Sequence, residues 1–133
     1  MLLEPKQLDV IPIAQYAEVT GAWVTDDERV LQALDPLHVW GEGFLETRLK
    51  WRRTQPITLL ELRAYTLQPP LPLPRSEELF GCFSWVGLPG LGGADVAAAA
   101  ARKVPALADD AFVEKQQLLR DLLAGLDASV LEL

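Results

Sequence analysis

The sequence predicts an α+β fold: a mostly antiparallel sheet covered by two to four helices in a single pair of layers. Three observations carry this. Residues 8–24 and 57–67 alternate with the two-residue period of strands. Residues 94–103, and a stretch from Asp109 or Asp110 to Gly125, have the composition or spacing of helices. The links between these stretches are short and rich in proline and glycine, which favours a layered mixture of strands and helices.

The elements follow in order. In residues 8–24, Ile11, Ile13, Ala17 and Val19 share one face, and Tyr16, Glu18 and Thr20 share the other. Pro12 pushes the start of this strand to a sheet edge or end, and Gly21 suggests a bend before Trp23. "TDDE" then reads as a capping box, Thr25 to Glu28, opening a short helix that Asp35-Pro36 stops near Leu34. Residues 43–53 read as a second helix, with Phe44, Arg48 and Trp51 on one stripe and Leu45 and Leu49 beside it. In "ITLLELRAYTL", 57–67, Leu60, Leu62 and Ala64 face one way and Glu61, Arg63 and Tyr65 the other, with Leu59 as the misfit. "PPLPLP", 69–74, reads as an extended connector, and "FGCFSWVGL", 80–88, as a central strand. After the glycine loop 87–93 comes the alanine-rich helix. The final helix carries Phe112, Leu118, Leu119, Leu122 and Leu126 on its apolar side and stops at Gly125.

At 133 residues, half of them hydrophobic, the chain is long enough for one core and is expected to form one domain, 1–133. A single cysteine excludes an internal disulfide framework and suits a reducing compartment. No apolar run approaches a membrane span, and "MLLEPKQLD" has no leader pattern, so the cytoplasm is the expected location. The net charge of −7 disfavours unspecific nucleic-acid binding by the whole surface. The absence of asparagine and the ten prolines lean towards a thermophile, a bias that a GC-rich genome also produces.

Four stretches carry candidate chemistry. "GLPGLGG" before a helix has the order of a phosphate cradle, but Asp95 stands where a dinucleotide fingerprint needs glycine, and the P-loop Gly-Lys-Ser/Thr is missing. A flexible connector is the simpler reading. His38 and Cys82 are too few for a nucleophile signature or a zinc site; a packed histidine and a buried thiol are simpler. "LLELR" resembles the Glu-x-Lys strand of metal-dependent nucleases, with Arg63 in place of the lysine. An arginine keeps its proton, so a Glu61/Arg63 pair on an ordinary strand is the simpler reading. Arg48, Lys50, Arg52 and Arg53 with Trp51 form the one basic cluster, able to hold phosphates beside a stacking ring. Trp51 lies on the apolar stripe, and Glu42 and Glu46 sit within helical reach of the bases, so a solvated helix face competes with that reading.

Taken together, "LHVWGEGFLETRLKWRRTQPITLLELRAYTL" (37–67), "FGCFSWVGL" (80–88) and "VPALADDAF" (104–112) resemble the bacterial domain of unknown function (DUF) 1802 family, over a span from about Tyr16 to Leu123. Family members usually bring further N-terminal sequence, so the resemblance implies a shortened or C-terminal version. It implies no established activity, substrate or cofactor. It does imply that His38, Trp40, Arg48, Arg63, Tyr65, Gly81, Cys82, Ser84 and Trp85 form one recurring structural set.

The expectation is therefore a small binding or assembly module with no catalysis of its own, no metal and no cofactor. His38, Arg48, Arg63 and Tyr65 are its candidate anion cluster, and Lys50, Trp51, Arg52 and Arg53 its candidate nucleic-acid contact. The alternative is a nucleic-acid-associated protein binding phosphates through residues 48–53, or a degenerate nuclease-like site. A homo-oligomer, or a protein partner covering a sheet edge, is expected because leucines at 118, 119, 122, 123 and 126 exceed one packing face and "SVLEL" adds more apolar surface.

Overall fold

The computed structural model describes residues 7–38, 56–81 and 85–133. In chain order it contains β1 (Val10–Thr25), the four-residue helix α1 (Val30–Ala33), a 3-10 turn (Asp35–Leu37), β2 (Ile57–Pro74), a second 3-10 turn (Glu77–Leu79), α2 (Gly93–Ala101), β3 (Lys103–Pro105), α3 (Asp109–Ala124) and β4 (Ala128–Val130). The four strands form one antiparallel sheet in the order β3-β2-β1-β4, so the α+β expectation holds. The chain divides into two compact units, Met1–Ala17 with Ala64–Ala106, and Glu18–Arg63 with Leu107–Leu133. The long strands β1 and β2 contribute residues to both.

The second unit holds the main apolar cluster. Trp23, Val30, Leu34 and Leu123 are buried, and Leu37, Leu59, Leu119, Leu122, Leu126 and Ala128 pack against them. Leu119, Leu122 and Leu123 recur at the spacing that keeps side chains on one side of α3, and Leu126 joins the cluster from just past its end. Leu118, expected on that side, is 43% exposed, and Leu123 takes the buried place. Ala108, not Asp109 or Asp110, precedes the helix; both aspartates lie in its first turn, where the positive helix end favours them. Gly125 follows Ala124 as expected.

The "TDDE" turn differs from a capping box. Thr25 is still in β1, and its hydroxyl accepts from the Asp27 N–H at 3.0 Å and donates to the Asp127 carbonyl at 2.6 Å. Asp27 in turn accepts from the Arg29 N–H and guanidinium and from the Asp127 N–H. Hydrogen bonds from Arg29, side chain first, hold the Asp27 carboxyl well below its usual range. Short polar side chains satisfy the turn locally, so the helix starts later than the sequence pattern suggests.

Which side of the sheet is covered reverses the simplest reading of β2. Leu59, Glu61, Arg63, Tyr65 and Leu67 are buried or half-buried, whereas Leu60 and Leu62 are 42% and 46% exposed. Leu59 is thus no misfit: it shares the covered side with Glu61. In β1 the covered residues are Ile11 and Ile13 near the start, then Tyr16, Glu18 and Thr20, and at its end Ala22, Trp23 and Thr25; the phase changes across Ala14 and Gln15, both exposed, and alternation is lost from Thr20 onwards. Gly21 makes no break in β1. A Cβ there would lie 2.7 Å from the Trp23 indole, so the glycine clears space for that ring.

In the first unit β2 continues through "PPLPLP", and Arg75 N–H donates to the Asp9 carbonyl at 2.9 Å. The connector is therefore strand. Its prolines lie beyond the residues that β3 pairs, Tyr65 to Leu67, where a missing N–H breaks no bond to β3. The central strand expected at 80–88 is not seen. Cys82 to Ser84 lie outside the described residues, the flanking Phe80, Gly81 and Trp85–Leu88 carry no strand, and Trp85 is 80% exposed. An apolar run alone does not choose between a sheet and a loop; here Gly81 and Gly87 bracket it and the sheet is built from other segments. Of the helix expected at 94–103, Arg102 follows the last turn as its C-cap and Lys103 instead opens β3.

Candidate functional site

The covered side of the second unit is organised around a buried carboxylate. Glu61 is only 5% exposed. It accepts from the Thr20 hydroxyl at 2.7 Å, from the Gln116 amide at 2.7 Å, and from Arg120 Nη2 at 3.2 Å and Nε at 3.4 Å. Thr20 comes from the neighbouring strand. Gln116 and Arg120, four residues apart, come from one face of α3. Burial alone would raise the Glu61 carboxyl, but bonds from Gln116, Thr20 and Arg120, with the charge of Arg120, outweigh it and leave it below its ordinary value. Oε1 takes the bonds from Thr20, Gln116 and Arg120 Nη2 and Oε2 the longer one from Arg120 Nε, and a buried charge of this kind is tolerable because it is hydrogen-bonded. No group of three or more histidine, cysteine, aspartate or glutamate residues able to hold a metal occurs among the described residues.

A cavity of about 460 Å³ opens beside this network, lined by Thr20, Gly21, Ala22, Trp23, Arg120, Val130, Leu131 and Leu133. Its walls are mainly apolar, with Arg120 and Thr20 as the polar groups.

The predicted site residues are placed as follows. Arg63 of the second unit pairs with Asp109, donates to the Leu107 carbonyl at 3.3 Å, and lies 4.8 Å from the centre of the Phe112 ring. Tyr65 of the first unit stands 5.9 Å from Tyr16, ring to ring, and Lys103 Nζ lies 4.6 Å over the Tyr65 ring and 6.0 Å from that of Tyr16. His38 follows the 3-10 turn Asp35–Leu37 and is half-buried. Arg48, Lys50, Trp51, Arg52 and Arg53, with Trp40 and the expected helix 43–53, lie outside the described residues. At the glycine loop, the Asp95 carboxylate accepts from the Gly92 N–H at 2.9 Å, so a carboxylate already occupies the start of α2.

Thr20, Gln116 and Arg120 were not singled out by the sequence. Their one signal is the pair Gln116 and Arg120 at i, i+4 beside the leucine stripe of α3, and that spacing does not identify Glu61 as their target.

The open side of the sheet is the reverse of this polar interior. Leu60 and Leu62, which alternate with Glu61 along β2, are 42% and 46% exposed. In the β1 part of the same unit, Val19 is 45% exposed. No helix among the described residues is long and apolar enough to cross a membrane.

Residues 3–117 match the family model described as domain of unknown function (DUF1802). No curated protein and no solved structure matches the chain.

Proposed function

This chain belongs to the domain of unknown function (DUF1802) family, and from that premise we propose that it is a small binding and assembly module with no catalysis of its own, docking a protein partner on the open side of its sheet. The observation that carries the reading is the inversion of β2. Leu60 and Leu62 point to solvent while Glu61 is buried. A strand that spends hydrogen-bonded polar residues inside and leaves its aliphatic ones in water is costly for a lone domain, and an exposed apolar patch is a common mark of a protein contact. Leu60, Leu62 and Val19, all of the second unit, carry no charge. The matching partner is therefore an uncharged apolar protein surface and not a polyanion.

The test is partner capture from extracts of the source cells by the full chain, with Leu62→Lys as matched control. Leu62 is half exposed, so the substitution is expected to cost under about 0.5 kcal/mol of stability. Proteins retained by the wild type and lost by Leu62→Lys support the reading. Identical capture by both folded proteins overturns it.

A further inference from the structure

The sheet ends in two strands of three residues, β3 and β4, and they are protected differently. In β3, Pro105 offers no N–H and Lys103 holds an ammonium over Tyr65, the usual devices that keep an edge from pairing. β4 is Ala-Ser-Val, with no proline, lysine or charge. Its register against β1 sets Trp23 opposite Val130, and the Leu131 N–H donates to the Ala22 carbonyl at 2.8 Å. Ala22 and Leu131 are thus a hydrogen-bonded pair, and the next pair, Trp23 and Val130, is not. The N–H and C=O of Val130 consequently point away from β1, to the outer edge. Around them the apolar side chains are open: Val130 is 73% exposed, Leu131 41% and Leu133 79%.

Resting on the reading of the chain as an assembly module, we infer that β4 pairs antiparallel with β4 of a second copy, about a two-fold axis through Val130. Each Val130 N–H then donates to the Val130 carbonyl of the other copy. Ser129 falls opposite Leu131, Ala128 opposite Glu132, and Asp127 opposite Leu133. Copies that each carry −7 repel, and this register sets neither acid of the segment opposite another acid. The segment is complementary to itself, as a two-fold contact requires. Pairing of so short an edge buries less than the ~1,000 Å² of a standard interface, so the dimer is expected to be reversible, with a Kd on the order of 10–100 μM.

Sedimentation equilibrium of the full chain, from a few micromolar to several hundred, tests this. The mass is expected to rise from 14.7 kDa towards twice that value. Val130→Pro removes the N–H that faces the second copy and breaks no bond to β1; it should stay a monomer throughout, with an unchanged circular dichroism spectrum. Val130→Arg, at a side chain already in water, sets two arginines face to face on the axis and should also stay a monomer, which keeps the question decidable if the proline variant unfolds. A wild-type mass of one chain at every concentration overturns the inference. So does a dimer that survives in the folded variants. A dimer dissolved by Leu62→Lys and not by the Val130 variants overturns edge pairing while leaving the open-side reading standing.

Discussion

Removing the Glu61 carboxylate is expected to cost about 3 kcal/mol. The short bonds from Thr20 and Gln116, both 2.7 Å to a buried charged acceptor, are worth about 1.5 kcal/mol each. The Arg120 contacts are longer, 3.2 and 3.4 Å, and the arginine side chain is 48% exposed, so it returns to water and adds little. Glu61→Ala should therefore lower the melting temperature by roughly 10 °C for a chain of this length. Glu61→Gln keeps the shape and removes the charge. The Glu61 carboxyl is held below its reference value of 4.5 in the folded state. Its stabilisation is therefore fully present above pH 4.5 and is lost as the pH falls through the lower folded value. Urea unfolding of wild type and Glu61→Gln, followed by circular dichroism, should show a constant stability gap from pH 6 to 8 that narrows below about pH 4.5. A Glu61→Ala loss under about 1 kcal/mol, or a gap that stays constant down to pH 3, would refute the assignment of Glu61 as a hydrogen-bonded buried carboxylate.

Two further outcomes follow from packing. Leu123→Ala, at a side chain 4% exposed inside the apolar cluster, should cost about 3 kcal/mol, and Leu118→Ala, 43% exposed on the same helix, under about 0.5 kcal/mol; equal losses in urea unfolding would contradict the packing of α3. Gly21→Ala should destabilise by about 1–3 kcal/mol, because the added Cβ would sit 2.7 Å from a Trp23 ring that the core prevents from moving; a thermal melt indistinguishable from wild type would show that the ring can yield.

Sequence alone was enough to determine the elements whose signal is local. Alternation located β1 and most of β2, alanine content located α2, leucine spacing located α3, and the ordered motifs between residues 37 and 112 identified the family. Each depends on neighbours within a few positions. Three things were decided only by the tertiary structure. β3 and β4 are three residues each and exist because longer strands offer them a ladder to join. The prolines of residues 69–74 stay in a strand because they lie beyond the stretch that β3 pairs. The covered side of β2 could not be read from its alternation, because Leu60 and Leu62 make the opposite side look like the core. Glu61 is stable inside only because α3 brings Gln116 and Arg120 to it from 55 and 59 residues away. A polar residue is buried when its partners arrive, and the position of distant donors in space is not a property of the strand that needs them.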